Sequence, residues 1–104
     1  MTTCLLFLTV SVPTMAQAPH PSKVNLRFDH WYDYAEMTTA LHDLVRAYPE
    51  LLTINSIGNS VDGRELWLVT LNNPATGGDR EKTAMFIDGN IHGNEIQAAE
   101  TVLY

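Results

Sequence analysis

An apolar run at residues 85–87, Met-Phe-Ile, stops at Asp88-Gly89-Asn90 and gives way to Ile91-His92-Gly93-Asn94-Glu95. This stretch constrains the fold more than any other in the chain. The run ends at Asp88-Gly89, since Gly marks a break that a strand does not continue through. The pattern predicts a third strand at 83–88, apolar enough to be buried on both faces. A helix is predicted at 95–104, with Ile96, Ala99, Val102 and Leu103 on its packed side. His92 then leaves a loop and Glu95 leaves the first helical turn, and a spacing of three keeps both on one side. Asn94 reads as the helix cap.

The rest of the chain leads into that junction. Asp33-Tyr34-Ala35-Glu36 has the form of a capping box. Met37, Leu41, Leu44, Val45 and Tyr48 follow at helical spacing, and Pro49 stops the run, which predicts a first helix over 34–48. Residues 51–57 and 65–71 read as strands, the second rich in bulky apolar side chains. Gly58 to Arg64 between them is turn-rich, so the two strands form a hairpin. Arg64 there reads as solvated or locally paired in preference to a substrate contact. Residues 72–82 form a polar loop whose two glycines lack the Lys-Ser/Thr of a phosphate-binding loop. His20, His30 and His42 read as surface or boundary residues, since His30 and His42 are not spaced to share a metal.

Composition bounds the partners. The chain has 104 residues, a formal charge of -6 and 45% hydrophobic residues, enough for one small domain with a core and too little for two. The negative balance, without a basic face, argues against nucleic acid and against an acidic membrane surface. Residues 1–18 differ from the rest. The apolar stretch 4–12, the break at Pro13 and Ala16-Gln17-Ala18 read as a signal peptide cut after Ala18, although no Lys or Arg precedes the apolar core. That reading makes the mature chain secreted or periplasmic, with residues 19–30 as a lead-in tether and no membrane association after cleavage. Cys4 leaves with the signal, so the chemistry rests on His, carboxylates and hydroxyls. The chain stops inside its last predicted helix, so residues 31–104 read as the opening part of a larger domain.

His92 and Glu95 carry two donor types that zinc favours, and hydrolytic zinc sites recur with two His and one Glu plus an open position. Such an ion polarises a carbonyl and acidifies water. Gly93 between the two would let the backbone approach the ion. The plainer reading of the same two residues is a helix N-terminus with a Glu suited to its dipole and a loop His bonded to a carbonyl. On these two residues alone the plainer reading is favoured.

The surrounding stretches shift that balance. His92-Gly93-Asn94-Glu95, after a strand ending in Asp88-Gly89-Asn90, resembles the zinc carboxypeptidase family, in particular its carboxypeptidase E and D-like branch. Ala47-Tyr48-Pro49-Glu50-Leu51 is similar to that family's helix-end motif, and the stretch 57–66 resembles its Gly-x-Ser-x-x-Gly-Arg hairpin. The three motifs stand in the family's order and span about residues 31–104. The resemblance implies a three-layer α/β/α domain on a mixed sheet, of which this chain holds the N-terminal part. It also implies one zinc ion with His92 and Glu95 as its first two ligands. The third ligand, a general-base Glu and an Arg for the substrate carboxylate are implied beyond Tyr104. The implied reaction removes C-terminal residues from peptides or proteins, these being the expected partners. One position departs: digestive members have Arg where Asn94 stands.

Two other readings compete. Amidohydrolases of the aspartoacylase or desuccinylase type also carry His-Gly-Asn-Glu and cleave acyl groups from small amino acids. The signal-like segment and the Tyr-Pro and Gly-Arg stretches speak against them. A non-catalytic relative would use the fold as a binding module. By itself the 104-residue chain, with two ligands and no base, is expected to be inactive.

Overall fold

In the computed structural model, residues 22–104 are described. The signal-peptide reading of residues 1–18, with Cys4, and the reading of His20 lie outside them. The chain is an α/β segment whose elements follow one another as helix, two-stranded antiparallel sheet, two short 3-10 turns and a second helix.

Helix α1, Tyr34–Ala47, starts where the capping box places it. The Asp33 carboxylate accepts the Glu36 amide at 2.8 Å, and the Glu36 carboxylate accepts the Asp33 amide at 3.0 Å. Two of the amides that a helix start leaves unpaired are thus satisfied by side chains. The helix closes at Tyr48, whose N–H donates to the Leu44 carbonyl at 2.9 Å before Pro49 redirects the chain.

Strands β1, Leu52–Asn59, and β2, Glu65–Leu71, pair antiparallel. Leu52 stands opposite Leu71 and Ile54 opposite Val69, so residues alternate between the face turned to α1 and the outer face. Ile54, Trp67 and Val69 are half-buried on the inner face, and the Trp67 indole donates to the Thr38 hydroxyl of α1 at 3.2 Å. β1 runs two residues past the predicted end at 57, through an irregularity in the register between Ser56 and Asn59 where Gly58 has φ +135°. The turn is closed by Gly63 N–H to the Ser60 carbonyl at 2.9 Å and by Ser60 N–H to the Arg64 carbonyl at 2.7 Å. Gly63 supplies the positive φ, +76°, that lets the second strand leave in register.

The polar loop at 72–82 folds around one cation. The Lys82 ammonium donates to Asn72 Oδ1 at 2.7 Å, the Asn73 carbonyl at 2.8 Å and Thr76 Oγ1 at 2.7 Å. Pro74 opens the first 3-10 turn, Pro74–Thr76, with Asn73 as its side-chain cap.

Two expectations are corrected downstream of this loop. Residues 83–88 run without forming a ladder with any described residue, so the predicted third strand is not seen there. The residue types suit a strand, but a strand is defined by hydrogen bonds to a partner. Met85, Phe86 and Ile87 are accordingly exposed, at 84%, 77% and 61%. Helix α2, Gln97–Leu103, begins two residues later than predicted. Its N-cap position is Ile96, with no side-chain cap, so Asn94 does not cap it.

The core is thin: Ala40 and Glu100 are the buried residues among those described. Residues before α1 bring α2 into contact with the rest. Tyr32 N–H donates to Glu100 Oε1 at 2.9 Å, and Phe28 meets Tyr104 edge-on at 5.5 Å between ring centroids. Upstream, Lys23 N–H donates to the Tyr48 hydroxyl at 2.8 Å, fastening the start of the described chain to the end of α1.

Candidate metal centre

The junction between residue 85 and α2 brings the two candidate ligands together. Gly89 passes against α2 so closely that a Cβ there would lie 2.8 Å from the Ala98 carbonyl carbon. Asn90 then turns the chain with φ +64°, the one non-glycine positive φ among the described residues. His92 and Glu95 bracket a tight turn in which Glu95 N–H donates to the His92 carbonyl at 2.9 Å. Ala98 N–H in turn donates to the Glu95 carbonyl at 2.9 Å. Both bonds span three residues, a tighter winding than an α-helix allows.

In that turn the Glu95 carboxylate faces back to His92. Its Oε1 lies 3.0 Å from His92 Nδ1, and its Oε2 accepts the His92 backbone N–H at 3.4 Å. The two side chains therefore share one side, as their spacing requires, although Glu95 sits ahead of the helix and not in its first turn. Both are open to solvent, with His92 73% and Glu95 47% exposed. An imidazole nitrogen and a carboxylate oxygen converging on one accessible point form a donor pair that suits zinc. They are two donors, fewer than the three protein ligands a hydrolytic zinc site uses. Among the described residues no third His, Cys, Asp or Glu joins them.

The other candidates stay apart from the pair. His30 Nδ1 lies 3.2 Å from Asp29 and its Nε2 lies 3.5 Å from Glu36, a local charge cluster at the start of α1. Arg27 completes that cluster: its guanidinium bonds Asp29 at 3.1 and 2.8 Å and, with help from His30, holds the Asp29 carboxyl down at about 2. His42 packs edge-on against Trp67 at 5.0 Å. The Arg64 guanidinium sits over the Tyr34 ring at 5.7 Å, a local pairing in line with the plainer reading of that residue.

Two residues went unremarked in the sequence. Asn90 has its amide end 3.0 Å from the His92 carbonyl oxygen and 3.2 Å from the Glu95 carbonyl oxygen. The amide is assigned with its nitrogen on that side, as donor to both, because the opposite assignment faces oxygen with oxygen. Its position after Asp-Gly was the available signal, since Asn tolerates left-handed backbone. Glu100 is buried with only Oε1 paired among the described residues, and nothing in its helical spacing announced it.

Known proteins resemble this segment over the same stretch. Residues 37–104 match the zinc carboxypeptidase family. Carboxypeptidase B of Astacus astacus is 38% identical over 71% of the chain and 23% of its own length. Carboxypeptidase D of Homo sapiens is 29% identical over 91% of the chain and 7% of its own length. A zinc carboxypeptidase of Saccharothrix mutabilis subsp. capreolus is 31% identical over 70% and 17%. The chain thus spans less than a quarter of the length of these relatives.

Proposed function

Since the chain belongs to the zinc carboxypeptidase family, we propose that it forms the N-terminal part of a secreted or periplasmic zinc carboxypeptidase that removes C-terminal residues from peptides or proteins. The observation that carries this reading is the convergence of His92 Nδ1 and Glu95 Oε1, 3.0 Å apart, within the stretch that matches the family. These two residues are the proposed zinc ligands. A third protein ligand, a general base and an Arg for the substrate carboxylate belong, on this reading, to parts of the protein outside the 104 residues.

Zinc held by such a set supplies Lewis acidity toward a peptide carbonyl and acidifies water near neutral pH. The chain's own contribution is to present the two donors. Glu95 orients the imidazole by bonding at Nδ1, and its second oxygen holds the His92 backbone N–H, so imidazole and carboxylate are held side by side before a ligand arrives.

The test is made on the full natural chain that carries this segment. His92→Ala should remove bound zinc and abolish release of C-terminal residues from a peptide, while retained hydrolysis would overturn the assignment. Offering an N-acyl amino acid beside the peptide separates the amidohydrolase reading, which requires preference for the acylated substrate. The 104 residues by themselves are proposed to be inactive.

A further inference from the structure

We infer that Asn90 is a positioning residue for the His92–Glu95 pair, an inference that rests on the zinc reading above. Its left-handed backbone reverses the chain, and its side-chain amide, assigned with the nitrogen toward the loop, bridges the carbonyls of the two donor-bearing residues at 3.0 and 3.2 Å.

The geometry gives Asn90 two tasks that no other residue type combines. A turn at φ +64° asks only for a residue tolerant of that region, and glycine meets the demand at least cost. Asn adds an NH2 group able to reach two acceptors at once. The acceptors it meets are not arbitrary. The His92 carbonyl already takes the Glu95 N–H, and the Glu95 carbonyl takes the Ala98 N–H. One amide therefore ties together both residues whose side chains meet at 3.0 Å, along with the start of the approach to α2. The reverse orientation of the amide would set Oδ1 against two carbonyl oxygens and leave its donors facing away.

His92 and Glu95 are both well exposed, so packing does little to hold them. Without the bridge, the turn between them is closed by the Glu95 N–H bond and by the Glu95 carboxylate, and a metal ion competes for that carboxylate. Metal binding leaves the Glu95 N–H bond to the His92 carbonyl intact, and Asn90 is the side chain that reinforces it from both carbonyls. It keeps the donor pair at ligand separation when the Glu95–His92 side-chain bond is given up.

The full natural chain is freed of zinc and compared with Asn90→Gly, which tolerates the same left-handed backbone and deletes the side-chain amide. Zinc affinity is measured by chelator competition, cobalt(II) is used as a spectroscopic probe, and folding is followed by circular dichroism. The expected result is a folded variant with zinc affinity weakened about tenfold, the lower end of what loss of a ligand-supporting hydrogen bond does. Its visible cobalt band should also be displaced. A folded N90G with natural affinity and an unchanged band overturns the inference. Should N90G fail to fold, Asn90→Asp replaces it, because Asp tolerates the same backbone region and lacks the amide. A displaced cobalt band in N90D then supports the role, and an unchanged band overturns it. Failure of both variants to fold also overturns it, because Asn90 would then hold the fold and not the pair. A natural chain that takes up no zinc overturns the zinc reading and this inference together, whereas natural zinc uptake with an indifferent N90G overturns this inference alone.

Discussion

The Ala98 carbonyl oxygen leaves Gly89 no room for a side chain: a Cβ on Gly89 would lie 2.5 Å from it and 3.0 Å from Val102 Cγ2. Backbone carbonyls of a helix cannot swing aside as a side-chain end can, so the added methyl has to displace α2 or the strand-like run before it. Gly89→Ala should cost about 1–3 kcal/mol, the range for overpacking a close contact. Gly93, three residues from Asn90, has no atom within 4 Å of the same position and no positive φ. Gly93→Ala should change stability by less than about 0.5 kcal/mol. Urea unfolding of the two variants, in the full natural chain, checks the contrast; equal effects would show that contact with Ala98 is not what restricts position 89.

The capping box makes a separate prediction at the other end of the segment. Asp33→Ala removes the acceptor of the Glu36 N–H and should lower stability by about 1 kcal/mol. Asp33→Asn retains an acceptor at that place and should recover most of the loss. Thermal unfolding midpoints rank the three proteins, and an Ala variant as stable as the natural chain would refute the role.

How far the fold was legible depended on how local its causes are. The start of α1 and the hairpin turn rest on residues within four positions of one another, such as Asp33 with Glu36 and Ser60 with Gly63, and sequence spacing captures these directly. Residues 83–88 failed for the opposite reason. Their composition encodes readiness to pair, while the ladder itself needs a second strand, and no described residue supplies it. The late start of α2 has a local cause that spacing conceals. Glu95 spends its carboxylate on His92, and its carbonyl on the Ala98 amide and the Asn90 side chain, which winds the turn too tightly for regular α-helix. His92 and Glu95 were legible as a pair because a separation of three survives either winding. Asn90 was not, because its role lies in which way an amide faces.

Asp29 carries the pH-dependent prediction. Hydrogen bonds from Arg27, then from His30, lower its pKa from 3.8 to about 2. A carboxyl whose folded pKa is depressed adds stability above its unfolded pKa, and that contribution disappears as pH falls through the folded value. The window therefore runs from 3.8 down to about 2. Because the cluster is exposed, its share of stability is small and is weakened further by salt. Arg27→Ala should return the Asp29 titration toward the ordinary carboxylate range, read by NMR from the Asp29 carboxyl resonance. A midpoint that stays near its natural value would mean that Arg27 is not the main cause.

Glu100 links α2 to the residues ahead of α1, since its Oε1 accepts the Tyr32 amide at 2.9 Å while the residue itself is 9% exposed. Removing the side chain leaves that partly buried N–H without its acceptor, and an unmet buried donor costs more than a typical hydrogen bond gains. Glu100→Ala should therefore destabilise the natural chain by about 1–3 kcal/mol. Glu100→Gln keeps a carbonyl oxygen for Tyr32, so it should cost less than Glu100→Ala. Amide hydrogen exchange gives a local readout that global unfolding does not. The Tyr32 N–H should exchange markedly faster in the Ala variant and stay protected in the Gln variant. Equal protection in both would mean that Glu100 is retained for whatever meets Oε2, which has no partner among the described residues, and not for its bond to Tyr32.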